Sequence, residues 1–312
     1  MKISVVMTTY NGARFLTKQL DSLRKQTRVP DEVLIYDDCS SDDSEVVVRS
    51  YIRLYQIEGW KVIRNEKNLG WKANFMQGFK ASEGDLIFPC DQDDVWAPDK
   101  IEVMAREMEA NTDINILACD VSIKYGKGAA RNKHYEGAET REEGAVVQYP
   151  LKTSFFMNPR PGCTYAIRRT FFNRVKDSWQ KDFPHDEYLW ICAALEGSAY
   201  FINRKLVRFY RHSGNSSDVR YKDINLQKKQ LDYIGRALNA FSRMINDGVI
   251  HALPEAEELV DNAKLWCRKR KRLMETRNPL NWVTLAPWWG YYNSPANAFS
   301  DVYLVVFGRF RR

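Results

Sequence analysis

The chain has 312 residues, 44% hydrophobic and 13% aromatic, enough for a packed core, so disorder is not the default expectation. That length suits one sizeable α/β domain with an appendage rather than three domains. The net charge of +7 and pI near 9.0 favour polyanions: nucleic acid, anionic membrane or phosphorylated small molecules.

The six cysteines are scattered, with no C-x-x-C pair, so zinc and dithiol chemistry are not indicated. Several lie in apolar segments, where a reduced buried thiol is expected, and this fits a cytosolic protein. The opening MKISVVMTTYNG starts directly on a strand pattern, too short for the apolar core of a signal peptide. No apolar run reaches the ~18 residues of a spanning helix.

In chain order, Ile3–Thr9 is a β-branched strand, and Asn11 is expected to cap a helix carrying Leu16, Leu20 and Leu23. Val33–Tyr36 is a second strand, ending in Asp37 and Asp38. Ser40 and Ser41 then open a helix with Val47, Tyr51 and Leu54. Trp60–Ile63, Leu86–Cys90 and Ile114–Cys119 read as further strands. Trp71–Ala81 reads as a helix, and Pro98 starts another. Residues 121–153 read as a polar loop or flap, and 154–212 return to mixed signals. After about residue 220, Leu231, Ile234, Leu238, Phe241 and Ile245 form one amphipathic stripe. Leu259, Ala263 and Trp266 form another after Pro254.

Alternating strands and helices predict a mainly parallel sheet with helices on both faces. Ligands bind beyond the carboxyl ends of such strands. Three strand ends carry polar residues: Thr8-Thr9-Tyr10, Asp37-Asp38, and Asp91-Gln92-Asp93-Asp94. Three carboxylates within four residues repel one another unless a cation lies among them. Carboxylate oxygens suit Mg²⁺ or Mn²⁺, which bridge diphosphates, although a solvated acidic turn would read the same way. Asp38 can accept from a base N–H or a ribose hydroxyl, while Ser41 and Asp42 cap the following helix. No G-x-G-x-x-G follows the first strand, which disfavours a dinucleotide oxidoreductase. A nucleotidyltransferase would need a Gly-rich phosphate loop there, and Thr9-Tyr10-Asn11-Gly12 is not one.

Taken in order, Thr8-Thr9-Tyr10-Asn11, Asp37 to Asp42, Asn68-Leu69-Gly70 and Asp91-Gln92-Asp93-Asp94 resemble the inverting family 2 glycosyltransferases with a GT-A fold. The resemblance covers roughly residues 1–215, and Asp-Gln-Asp-Asp-Val-Trp looks most like the bacterial rhamnosyltransferase branch. It implies transfer of a sugar, L-rhamnose from dTDP-rhamnose, to a saccharide or lipid-linked saccharide in cell-surface polysaccharide synthesis. It implies that Thr8 and Tyr10 contact the nucleotide base, with Tyr10 stacking on it. By the same resemblance Asp38 binds base or ribose, Lys72 lies near the donor, and Asp91 faces ribose or metal. Asp93 is then the Mn²⁺ or Mg²⁺ ligand, and His212 is a candidate ligand or phosphate contact. Asp186, in His185-Asp186-Glu187 at the start of an apolar helix, matches the catalytic base; on its own it would read as a helix N-terminal acid. Cys39 stands where the family usually has Gly. The stretch Phe155–Tyr165 lies where relatives form an acceptor wall, with Arg160 meeting a phosphate or simply solvated.

The expected division is a catalytic domain over residues 1–215 and a helical extension over 216–312. The extension carries Arg268-Lys269-Arg270-Lys271-Arg272, then Trp288, Trp289, Tyr291 and Tyr292, and the apolar Val302–Phe307 before Arg309, Arg311 and Arg312. Two uses fit this pattern: contact with an anionic inner membrane face, or packing on the catalytic domain or in a homodimer. No nucleic-acid-binding motif accompanies the basic run, so nucleic acid is not an expected partner. The rival of another class is a non-catalytic scaffold in a polysaccharide-assembly complex. A scaffold has no need of Asp91, Asp93 and Asp186 together.

Overall fold

The computed structural model describes residues 1–126, 142–156, 160–211, 223–292 and 294–307. The elements run β1 (Ile3–Thr9), α1 (Ala13–Arg24), β2 (Glu32–Asp37), α2 (Ser44–Leu54), β3 (Trp60–Arg64), α3 (Trp71–Ala81), β4 (Leu86–Asp91), β5 (Val95–Trp96) and α4 (Lys100–Ala110). There follow β6 (Ile116–Tyr125), β7 (Val146–Gln148), β8 (Tyr165–Arg168), α5 (Arg169–Val175), α6 (His185–Leu195) and β9 (Ala199–Arg211). The chain ends with α7 (Ile224–Asn246), α8 (Ala256–Thr276), α9 (Leu280–Val283) and α10 (Pro295–Phe307). One compact unit comprises Met1–Tyr149, Asn158–Ala193 and Ser198–Asn215. A second comprises Pro150–Met157, Ala194–Gly197 and Ser216–Arg312.

In the first unit the strands form one sheet of order β3-β2-β1-β4-β8-β6-β9-β5, with β7 on β9. β3, β2, β1 and β4 are parallel, as the alternation of strands and helices predicts. Beyond β4 the sheet is mixed: β8 runs antiparallel to both β4 and β6, and β6 runs parallel to β9. Every residue of β1 is buried, which explains its unbroken β-branched and apolar run. Pro89 lies within β4 and has no N–H to donate. The pairing of β4 with β8 stops before it, at Leu86 and Ile87.

Residues 121–153 are not wholly loop. β6 continues to Tyr125 in register with β9, and Val146–Gln148 pairs antiparallel to it. In Val121–Tyr125 a buried position at Val121 gives way to alternating exposure, a period that the polar composition masks. Asn11 does not cap α1; the flanking residue is Gly12, without a side-chain cap. The cap comes from a distant loop instead. Asn11 N–H donates to Ser40 Oγ at 2.9 Å, Gly12 N–H to Ser44 Oγ at 2.8 Å, and Ala13 N–H to an Asp42 carboxylate oxygen at 3.1 Å. Asn11 is left-handed (φ 50°), and its Oδ1 accepts from Ser41 N–H at 2.8 Å. Ser41 is likewise not the cap of α2; Asp42 Oδ1 accepts from Ser44 N–H at 3.0 Å. Cys39 takes φ 63°, the conformation for which glycine is favoured, so the turn geometry is kept despite the side chain.

In the second unit, α8 buries the stripe Ala256, Val260, Ala263, Cys267, Arg270 and Met274. The one charge in that stripe is paired: Arg270 donates to both carboxylate oxygens of Asp301 on α10, at 2.5 and 2.9 Å. Tyr292 O–H donates to the same carboxylate at 2.9 Å. Asp301→Ala would leave the guanidinium buried without its counter-charge. It should lower the free energy of unfolding by about 3–5 kcal/mol in urea denaturation. An unchanged midpoint would show that the pair carries no such weight.

Candidate functional site

The parallel strands bring their polar ends together. Thr8 on β1 is in register with Asp91 on β4, and Thr9 with Asp37 on β2. Gln92 ties β1 to the acidic turn. Its Oε1 accepts from Thr9 Oγ1 at 2.7 Å and from Tyr10 N–H at 2.9 Å. A Cβ on Gly12 would meet that oxygen at 2.0 Å, so a larger residue there would displace the Gln92 amide. Tyr10 is left 48% exposed, with its ring open for stacking.

Asp37 and Asp38 differ in what they hold. Asp37 is fully buried; it accepts from Ser40 N–H at 3.0 Å and from Arg64 at 3.1 Å, and so closes the turn after β2. Asp38 accepts from Asn65 Nδ2 at 2.9 Å and from the Leu69 and Gly70 N–H groups, both at 2.8 Å. Its carboxylate therefore fixes the Asn68-Leu69-Gly70 loop. One lone-pair position on Oδ2 is left for a further donor, since a carboxylate offers about four.

The acidic turn after β4 gathers more charge than its own three residues. Burial pushes the Asp91 carboxyl up to about 7, and the negative charges of Asp93 and Asp186 add to the effect. Asp94 is pushed well above the carboxylate range, first by burial, then by Asp91 and Asp93. Asp186, in the first turn of α6, thus acts through its charge on the acid at the β4 end. A Cβ on Gly162 would lie 2.9 Å from Asp186 Cβ and 3.1 Å from His185 Nε2, so glycine permits this close approach. The turn Gly162–Thr164 is anchored from below, because the buried Lys100 ammonium donates to the Cys163 carbonyl at 2.6 Å. The same ammonium lies 3.4 Å from the Trp96 ring centroid.

Ligand atoms of Asp91, Asp94 and Cys163 lie within 4.8 Å of one another. Asp93 is outside this set, although its charge acts on both Asp91 and Asp94. Burial pushes the Cys163 thiol up, with the charges of Asp94 and Asp91 adding to the effect. Asp94 Oδ2 is buried without a hydrogen bond. Asp91 and Asp93 are partly exposed as residues, although the Asp91 carboxyl itself is buried enough to be pushed up, and hard carboxylate oxygens fit Mg²⁺ or Mn²⁺.

The other expected residues divide. Lys72 turns toward α6: its Nζ donates to the Asp182 carbonyl at 2.6 Å, and its charge moderates Glu187. Burial raises Glu187 to about 7, with the Asp186 charge adding to it. Arg160 is neither solvated nor open to a phosphate. It is 5% exposed, 3.5 Å from Asp120, and its guanidinium stands over the Phe201 ring. His212 lies outside the described residues. His185 is buried among Trp71, Phe75 and Phe79, and both ring nitrogens lack a hydrogen bond. That burial lowers it to about 4, so it is a neutral packing residue beside Asp186. Gln92, Lys100 and Gly162 were not indicated as site residues by the sequence. Their partners lie 63 to 83 positions away for Gln92 and Lys100, and no local pattern encodes such a contact.

With this geometry in hand, similarity to known proteins becomes informative. The family model described as "Glycosyl transferase family 2" matches residues 4–176. An uncharacterized glycosyltransferase of Bacillus subtilis, YwdF, is 41% identical over 188 residues, 60% of this chain and 60% of that protein. The chain thus spans less than two thirds of that relative's length. A dTDP-rhamnosyl transferase of Shigella flexneri, RfbG, is 27% identical over 254 residues, 74% of this chain and 84% of that one. Among solved structures, TarS 1-349 of S. aureus in complex with UDP-GlcNAc superposes with a TM-score of 0.61 at 19% identity. That match covers 99% of this chain and 82% of TarS. The fold is the GT-A fold of these neighbours.

The raised Asp91 carboxyl sets a pH dependence. Its proton is held more tightly in the folded chain than in the unfolded one. Its contribution to stability is therefore full in acid and is lost as pH rises from about 4 through 7. A divalent cation favours the ionised form and offsets that loss. Mn²⁺ should raise the Tm clearly at a pH above 7 and much less well below it. Equal shifts at both would contradict the assignment.

Proposed function

The chain belongs to glycosyl transferase family 2, and on that premise we propose that it is an inverting, metal-dependent transferase using a nucleotide-diphosphate sugar. The feature that supports this reading is the charge of Asp186 acting on Asp91, with Gly162 packed against Asp186 and the neighbouring Cys163 within 4.8 Å of the Asp91 and Asp94 ligand atoms. In this reading the carboxylates after β4 serve a diphosphate and its cation, and Asp186 serves as base. The catalytic part is residues 1–215, with 216–312 as its extension.

In the proposed reaction, Asp186 accepts the proton of an acceptor hydroxyl as its oxygen bonds to the anomeric carbon. The bond from that carbon to the diphosphate oxygen breaks in the same step, on the opposite side, and the configuration inverts. Asp91 and Asp93 would hold Mn²⁺ or Mg²⁺, which when bound neutralises charge on the leaving diphosphate. His212 is the further ligand or phosphate contact proposed from the family pattern. Tyr10 offers its exposed ring to the base, with Thr8 beside it, and Asp38 its remaining acceptor site to base or ribose. Lys72 acts on the α6 side, steadying the segment before Asp186 through the Asp182 carbonyl. Gln92, Lys100 and Gly162 hold these groups within reach, and correct placement is itself worth several kcal/mol of barrier.

For the donor we favour dTDP-L-rhamnose, on the likeness to RfbG and the Asp91–Trp96 wording. The acceptor is then a saccharide or lipid-linked saccharide of a cell-surface polysaccharide. A UDP-hexose is the second reading, since the TarS structure that superposes on this chain holds UDP-GlcNAc. Product analysis with each donor separates the two: the true donor releases its nucleoside diphosphate in the presence of metal. Asp186→Asn should keep donor binding while turnover falls by about 10²-fold or more. Full turnover in that variant would remove Asp186 from the role of base.

A further inference from the structure

We propose that the aromatic face formed by α9, the turn after it and α10 is a docking surface for an anionic lipid bilayer, lying in the plane of its interface. The proposal is independent of the donor and of the transfer reaction. On α10, Ala298, Asp301 and Val305 are buried, at helical spacing. The opposite side presents Phe299 and Tyr303, one turn apart and 58% and 57% exposed. Phe299 meets Trp282 at 5.4 Å and Trp289 at 6.4 Å between ring centroids, and the two indoles meet at 4.9 Å. Trp289 is 42% exposed, and Leu280 and Val283 on α9 are 73% and 63% exposed. Contiguous apolar groups of this kind are uncommon on a surface that meets only water. Trp and Tyr in particular favour the membrane–water boundary, with an apolar body and a polar edge.

Charge identifies the occupant. α8 is polarised along its length. Glu257, Glu258 and Asp261 are exposed at its start, and Arg268 and Arg272 are exposed one turn apart toward its end. At 1.5 Å per residue the two ends are roughly 30 Å apart. Arg272 is tied to α9, because its carbonyl accepts from Thr276 Oγ1 at 2.8 Å and that hydroxyl accepts from Asn281 at 2.8 Å. Arg277, half-exposed, follows between them. Arg270 faces inward to Asp301, and the half-exposed Lys271 is paired with Asp232, so neither is counted among the unpaired outward cations. Glu275 is the exposed acid of this end and lies 3.8 Å from Lys271. A two-fold dimer through this face would set the same arginines against each other, whereas an anionic headgroup layer complements them. Among the described residues no helix is long and apolar enough to cross a membrane. At 13 residues α10 spans about 20 Å, short of a ~30 Å hydrocarbon core.

Co-sedimentation of the whole chain with phosphatidylcholine vesicles, with and without phosphatidylglycerol, tests this. The protein should bind the anionic vesicles far better, and added salt should weaken that binding. The triple variant Arg268→Gln, Arg272→Gln, Arg277→Gln should lower partitioning about 100-fold, at about 1 kcal/mol per basic residue. Trp289→Ser, Phe299→Ser, Tyr303→Ser should abolish it while keeping nucleotide binding, which reports that the first unit is intact. Equal binding to neutral vesicles, no binding to either, or wild-type binding by both variants would overturn the proposal. So would a dimer, in ultracentrifugation, that the aromatic variant dissociates without any vesicle binding.

Discussion

Like charges drawn to one end of a sheet repel, and much of the first unit serves to hold them there. Asp91, Asp93 and Asp94 follow β4 within four positions, and Asp186 is brought to them from α6. Burial makes each charge dearer, and the result is a carboxyl at Asp91 that titrates near neutrality. The opposing positive group is Lys100, fully buried beneath the turn that carries Gly162 and Cys163. Gly162 then allows α6 to enter close enough for Asp186 to count in the balance. An arrangement unfavourable in the free protein, and relieved by a cation, is physically suited to a diphosphate ligand.

The loops around this charge are fixed by one another more than by their own sequences. The loop of Ser40 to Ser44 caps α1, Asn11 returns a bond to Ser41, and Asp38 gathers the backbone of Leu69 and Gly70. Gln92 closes the ring by gripping Thr9 and Tyr10. This cross-bracing explains a left-handed Cys39 without glycine, since several neighbouring bonds over-determine the turn.

That mutual bracing also marks where a reading of the sequence succeeds and where it ends. β1 and the helices α1 to α4 follow from periodicity, and the acids after β2 and β4 are visible as strand ends. The meeting of Asp186 with Asp91 is legible only through family likeness, because a helix N-terminal acid looks the same in isolation. Asn11 and Ser41 are good caps by residue type, yet tertiary bonds give the capping to Ser40, Asp42 and Ser44. Nothing in the sequence after Pro98-Asp99 sets Lys100 apart, and only the fold shows it buried. Arg270 looks like part of a uniform basic run, but the helical stripe of α8 turns it inward to Asp301.

The most direct test of the carboxylate site is calorimetric titration of the protein with dTDP, UDP and GDP, in Mn²⁺ and then in EDTA. One nucleotide should bind in Mn²⁺, lose that binding in EDTA, and lose it again in the Asp91→Asn variant. Binding that is indifferent to both EDTA and the substitution would mean that these acids shape the turn and do not serve the donor.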